Sequence, residues 1–147
     1  MIKRWWRGRG FGVHSPFAFR FITETLHCPA PYGYYAYEEL RRLWHEAPRH
    51  GRMPLRRLLA IYRVGVRFAP DAVELRGSDP HGLATAALHM AAGKQRNSTR
   101  RVTVHCDMAG WDESVAAMTC GMSFTNRRWG VTVADEQLPL QHFEVQI

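Results

Sequence analysis

The stretch that decides the fold is Val-Glu-Leu-Arg-Gly-Ser-Asp-Pro-His-Gly-Leu-Ala-Thr, residues 73–85. The apolar run at residues 72–75 predicts a short buried strand, and Gly77 and Gly82 predict a turn behind it. Residues 83–92 follow a helical pattern rich in alanine, which suits close packing on a sheet. A strand, a glycine loop and a helix in this order are typical of sites for nucleotide-like ligands, because glycines allow close backbone approach and helix N-termini offer free N–H groups. An ordinary strand-to-helix turn is the alternative.

Further strands and helices are predicted downstream of this loop. Val102 opens a strand over residues 102–106, a helix is expected over 108–118, and two more strands over 129–134 and 143–147. Strands that alternate with helices indicate parallel βαβ units. We therefore predict an α/β fold in which an N-terminal helical segment precedes a small, incomplete Rossmann-like parallel sheet.

The first half of the chain is predicted to be helical. Ser15 and Pro16 form a favourable helix start, with serine as N-cap and proline at the first helical position. Two more helices are expected over residues 37–46 and 54–68, where apolar residues recur at helical spacing. The predicted organisation is a basic flexible arm at 1–14, a helical segment at 15–70 and a Rossmann-like core at 71–147.

Charge is concentrated in the N-terminal half of the chain. Residues 1–70 carry 13 Lys and Arg against 4 Asp and Glu, a net charge of +9, whereas residues 71–147 carry 7 against 9, a net of −2. A basic lobe attracts nucleic acid, acidic lipid or an anionic substrate, although a solvated helical surface is the commoner explanation. The arm is the candidate nucleic-acid contact, since arginines hold phosphates and tryptophans stack on bases; its residues are Lys3, Arg4, Trp5, Trp6, Arg7 and Arg9.

Composition indicates a soluble protein of one ordinary domain. No apolar run approaches the roughly 20 residues that span a bilayer, and no apolar segment follows the basic start as in a signal peptide. The three cysteines, Cys28, Cys106 and Cys120, lack metal-site spacing and cannot all pair internally. We therefore expect a cytoplasmic protein without a metal site.

The N-terminal half resembles one particular family. Residues 9–19, Arg-Gly-Phe-Gly-Val-His-Ser-Pro-Phe-Ala-Phe, residues 34–41, Tyr-Tyr-Ala-Tyr-Glu-Glu-Leu-Arg, and Val-Glu-Leu at 73–75 are similar to class I S-adenosylmethionine-dependent methyltransferase-like proteins of Bacteroidetes-type bacteria. The similarity covers residues 9–92, fades between 93 and 130, and returns weakly at 133–145. It implies a Rossmann-like fold and S-adenosylmethionine as cofactor.

The resemblance also implies positions around that cofactor. Glu74 maps to the acidic residue that faces the methionine end, and Gly77, Ser78 and Gly82 map to the loop. Asp107 is the nearest acid to the ribose position, because the position itself aligns with His105. Asp135 maps to the adenine side, with a turn or N-cap aspartate as the commoner alternative.

Several features depart from the family pattern. Arg76 stands where the family usually has a glycine; alternatively, Arg76 is an inserted residue and Gly77 takes the place of that glycine. The loop between Glu74 and Gly82 is also about two residues longer than the loop of the family. The family uses seven strands, so we expect a truncated or decayed member with degraded or lost activity. The alternative is a non-catalytic Rossmann-like fragment that binds nucleic acid or a partner protein through its basic N-terminal half. We also expect an edge strand that an oligomeric partner covers. Ser78, Asp79 and His81 are too close together for a catalytic triad, so no catalytic residue and no methyl acceptor are assigned.

Overall fold

The computed structural model describes residues 15–27, 35–68, 72–91 and 100–147, which form a mixed α/β fold. Its helices are α1 (Pro16–Arg20, continued by the π-helical turn Phe21–Leu26), α2 (Tyr35–Glu46), α3 (Leu55–Phe68), α4 (Leu83–Met90) and α5 (Trp111–Ala116). Its strands are β1 (Val73–Arg76), β2 (Arg101–His105), β3 (Met122–Thr125), β4 (Gly130–Ala134) and β5 (Gln141–Glu144). The mixed α/β class is thus confirmed.

The helical segment begins where the sequence predicts. The Ser15 side chain accepts a hydrogen bond from the backbone N–H of Ala18 at 3.3 Å, and Pro16 occupies the first turn of α1. The serine cap and the proline in the first turn are both typical of a helix N-terminus. α2 starts two residues earlier than predicted, and α3 starts one residue later.

Arginines of α3 hold the helical segment together from within. Arg63 donates to the backbone oxygen of Thr25 at 2.6 Å and to the Tyr37 hydroxyl at 3.0 Å. Arg67 donates to the Thr25 hydroxyl at 3.3 Å and lies over the ring of Phe21. Part of the basic charge is therefore structural, because these guanidinium groups satisfy the end of the π-helical turn. The arm predicted at residues 1–14 lies outside the described residues.

The sheet has the order β1-β2-β4-β3-β5 and is parallel only in part. β1 pairs with β2 in parallel and β3 with β5 in parallel, but β4 is antiparallel to both β2 and β3. The prediction of a parallel sheet therefore holds for two of the four described strand pairs and is wrong for the other two.

A hairpin that the sequence analysis missed causes this reversal. β3 and β4 are joined by the turn at residues 126–129, in which the Asn126 side chain accepts hydrogen bonds from the N–H groups of Arg128 and Trp129. A connection this short permits only antiparallel pairing, since parallel strands need a long crossover. The last strand was also misplaced, because it covers Gln141–Glu144 instead of residues 143–147.

The helices and the sheet share a core. Phe21 is fully buried and its ring centre lies 4.7 Å from that of Phe124 on β3, while Phe124 stacks on Phe143 of β5. Full burial of each large apolar side chain contributes about 1.5–3 kcal/mol. In the described part of the chain β1 and β5 are the sheet's edge strands, and a partner that covers one of them stays a prediction.

Candidate functional site

The loop behind β1 turns at Gly77. Arg76 is the last residue of the strand, and its guanidinium contacts Glu74 at 3.2 Å and the Ser114 hydroxyl at 3.2 Å. Gly77 follows with a φ of +85°, a conformation that favours glycine. The chain therefore accommodates Arg76 by ending the strand on it and placing the turn one residue later. Glu74 is exposed and paired with Arg76.

Asp107, two residues after the end of β2, forms hydrogen bonds with this turn. One carboxylate oxygen accepts a hydrogen bond from the Ser78 N–H at 2.7 Å, and the other accepts from the Ala109 N–H at 3.0 Å. A Cβ atom on Gly77 would lie 2.7 Å from Oδ1 of Asp107. Because β1 and β2 are parallel, their carboxyl ends meet at one edge, and the predicted residues Gly77, Ser78 and Asp107 come together there.

Asp79 occupies the N-terminus of α4. Its carboxylate accepts hydrogen bonds from the N–H groups of Ala84 and Thr85, at 2.9 and 3.0 Å, and from the Thr85 hydroxyl at 2.8 Å. Gly82 precedes the helix with a φ of +65°. The expectation that this helix end offers its N–H groups to a ligand is thus wrong for Ala84 and Thr85. Asp79 lies three residues before the N-cap residue Gly82, outside the position that capping patterns mark, so the spacing along the chain did not predict this contact.

A cavity of about 310 Å³ lies beside the Gly77–Asp107 turn. One wall follows β1 and β2, and the other comes from the segment that leads into α3. The two walls meet where the His81 ring nitrogen contacts the backbone oxygen of His50 at 2.9 Å. The lining residues are Gly51, Arg52, Met53, Pro54, Arg57, Ser78, Pro80, Cys106 and Asp107. Sequence reasoning missed the second wall entirely, since it depends on a contact between distant segments.

Two side chains near the cavity are unsuited to nucleophilic or acid–base chemistry. Burial, above all, raises the pKa of the Cys106 thiol to about 11, so the thiolate is scarce at neutral pH. His105 is 1% exposed, stands edge-on to Trp111 with ring centres 4.9 Å apart, and has no hydrogen-bond partner for either ring nitrogen. Neither ring nitrogen of His105 is therefore accessible to a ligand.

Asp135 lies at the opposite end of β2 from Asp107. Ala134 pairs with Arg101, and Asp135 contacts Arg100 at 2.6 Å. Five strand residues separate the two ends, a span of about 15 Å. A hydrogen bond from the Gln137 N–H and another from Arg100 lower the pKa of the Asp135 carboxyl. The structure does not bring this predicted site residue to the others.

The described ranges lack two kinds of feature. They contain no group of three His, Cys, Asp or Glu side chains placed to hold a metal ion. They also contain no helix of the length and apolarity needed to cross a membrane. No family model matches the chain, and no curated protein or solved structure matches it either.

Proposed function

We propose that this chain is a methyltransferase-like protein that binds S-adenosylmethionine in the cavity behind β1 and β2. One observation carries the proposal: the Asp107 carboxylate lies against the Gly77–Ser78 turn, at the side of a 310 Å³ cavity. In open α/β sheets, ligands bind outside the carboxyl ends of the strands. The Rossmann-like relationship that we propose rests on the parallel β1–β2 pair.

Asp107 keeps hydrogen-bonding capacity for a ligand. Each of its oxygens accepts one backbone N–H, and an ionised carboxylate has about four acceptor sites. The remaining capacity suits a vicinal diol such as the ribose hydroxyls. The cavity volume also falls in the range of about 300–1,000 Å³ that is usual for small-molecule sites.

The chemistry of methyl transfer asks little of the protein. The methyl group sits on a sulfonium, which is a good leaving group, so alignment of the acceptor nucleophile with the methyl carbon supplies most of the effect. The Cys106 thiol is neutral and therefore a weak nucleophile, which is compatible with methyl transfer at this site. A thiolate beside the sulfonium would compete with the acceptor and would itself be methylated. We place the protein in the cytoplasm on its cysteine content alone.

Calorimetric titration with S-adenosylmethionine and its demethylated product, S-adenosylhomocysteine, tests the proposal. We expect saturable binding by the wild-type protein. Asp107→Asn should weaken it by about tenfold or more, since a charge-assisted hydrogen bond to the diol contributes about 1.5–3 kcal/mol. Asp135→Asn removes the same charge at the other end of β2 and should bind as the wild type does. The absence of heat with both ligands at high protein concentration would refute the proposal.

A further inference from the structure

Arg57 is a charged side chain in the cavity wall that the proposed function does not use. It belongs to the first turn of α3 and lines the cavity together with Ser78 and Asp107. Its Nε atom is buried and has no hydrogen-bond partner, and among the described residues no carboxylate forms an ion pair with its guanidinium. A buried donor without an acceptor is costly, and the cost rises when the group is charged.

Two like charges, Arg128 and Arg56, lie near Arg57. Burial is the main factor that lowers the pKa of this guanidinium; the Cys106 thiolate opposes it, and the like charges of Arg128 and Arg56 act in the same direction as burial. The first turn of α3 contains no acidic residue, and the start of a helix carries partial positive charge. Arg52, which lines the same cavity, is engaged in contrast: it donates to the Trp44 backbone oxygen, and its guanidinium carbon lies 3.5 Å from the centre of the Trp44 ring.

We propose that Arg57 forms an oxyanion subsite, so that the cavity takes a ligand bearing a carboxylate or phosphate group at the α3 wall. Such a group would supply both the counter-charge and the acceptor that Arg57 lacks, and a planar guanidinium matches the two oxygens of either group. A turn of the side chain would bring Nε to the ligand. Asp107 lines the same cavity and stays available to a hydroxyl-bearing part of the ligand.

This inference deepens the proposed function and rests on it for the adenosine part of the ligand. S-adenosylhomocysteine carries a carboxylate on its amino-acid end, whereas 5′-methylthioadenosine lacks that end altogether. Adenosine monophosphate carries a phosphate in its place. The three compounds therefore separate recognition of the anion from recognition of the nucleoside, and inorganic phosphate tests the subsite with no nucleoside present.

The experiment compares Arg57→Gln with Arg56→Gln, its matched control. Both variants remove one positive charge from the same turn of α3, but Arg56 is exposed and does not line the cavity. We expect Arg57→Gln to weaken binding of inorganic phosphate by about tenfold or more, and to weaken to the same extent binding of S-adenosylhomocysteine or adenosine monophosphate, whichever binds the wild type. Arg56→Gln should weaken both by less than threefold, the residual effect of an exposed charge. Binding of 5′-methylthioadenosine should be the same in all three proteins.

The outcomes distinguish this inference from the proposed function. Phosphate binding that depends on Arg57, without binding of S-adenosylhomocysteine, would support the oxyanion subsite and refute the cofactor. Equal binding of S-adenosylhomocysteine by wild type and Arg57→Gln would support the cofactor and overturn the subsite. Failure of every anion to bind the wild type would also overturn it. If Arg57→Gln does not fold, Arg57→Lys, which retains the charge, is compared with Arg57→Met, which lacks it. The lysine variant should then bind phosphate more tightly than the methionine variant.

Discussion

Replacement of Gly77 by alanine tests the geometry of the turn on which the candidate site depends. The added methyl would lie 2.7 Å from Oδ1 and 2.9 Å from Cγ of Asp107, closer than such atoms approach without a shift. The residue also holds a φ of +85°, which costs an L-residue about 1–2 kcal/mol. Displacement of Asp107 loses the Ser78 hydrogen bond as well, at about 1 kcal/mol. The expected loss of unfolding free energy is the sum of these two costs, about 2–3 kcal/mol.

Gly82→Ala is the matched control for this substitution. Gly82 has a similar φ of +65°, but no atom lies within 4 Å of a Cβ placed on it, so only the backbone cost of about 1–2 kcal/mol applies. Urea unfolding followed by tryptophan fluorescence measures both losses, since Trp111 and Trp129 are buried. Equal losses for the two variants would refute the close approach. In an Asp107→Ala background the excess loss of Gly77→Ala should disappear, because the clashing atoms are gone.

Three further predictions concern other parts of the molecule. Ser15→Ala should lower the unfolding free energy by about 0.5–2 kcal/mol, because Ala18 loses its cap acceptor, and urea unfolding measures this; no change would contradict the cap. At pH 7.5 an alkylating reagent should modify Cys106 at least tenfold more slowly than the half-buried Cys120, because the Cys106 thiol is buried and has a pKa of about 11. Peptide mapping by mass spectrometry measures both rates, and equal rates would contradict the burial of Cys106. Burial lowers the pKa of His105 below its ordinary 6.5, so the unfolded state binds the proton more readily than the folded state, and stability should fall as the pH drops below about 6.5. Urea unfolding at pH 8 and at pH 5.5 measures this fall, which should be smaller in His105→Leu. An unchanged fall in the variant would exclude His105 as its source.

The sequence predicted the local features of the fold. Ser15 and Pro16 identified the start of α1, and the apolar spacing identified α3, because caps and helical periodicity are properties of neighbouring residues. The turn at Gly77 was equally visible, because its two glycines lie between an apolar run and a helical pattern.

The features that the sequence did not predict depend on distant contacts or short segments. β3 contains four residues, too few for a clear period, and its signal was the Asn126 turn that follows it. A solvated helical surface was the commoner explanation of the basic charge, yet Arg63 and Arg67 bind the π-helical turn and Arg57 lines the cavity. These roles arise from tertiary packing, which the spacing of residues within one helix does not encode.

The position of the ligand is the central claim, and residue-resolved chemical-shift mapping tests it most directly. Titration of the ¹⁵N-labelled protein with S-adenosylhomocysteine should shift the amide signals of Gly77, Ser78 and Asp107, together with those of the cavity wall at residues 51–57. The amides of Arg100 and Asp135, at the far end of β2, should stay unchanged. Shifts confined to that far end, or no shifts at all at saturating ligand, would contradict the account.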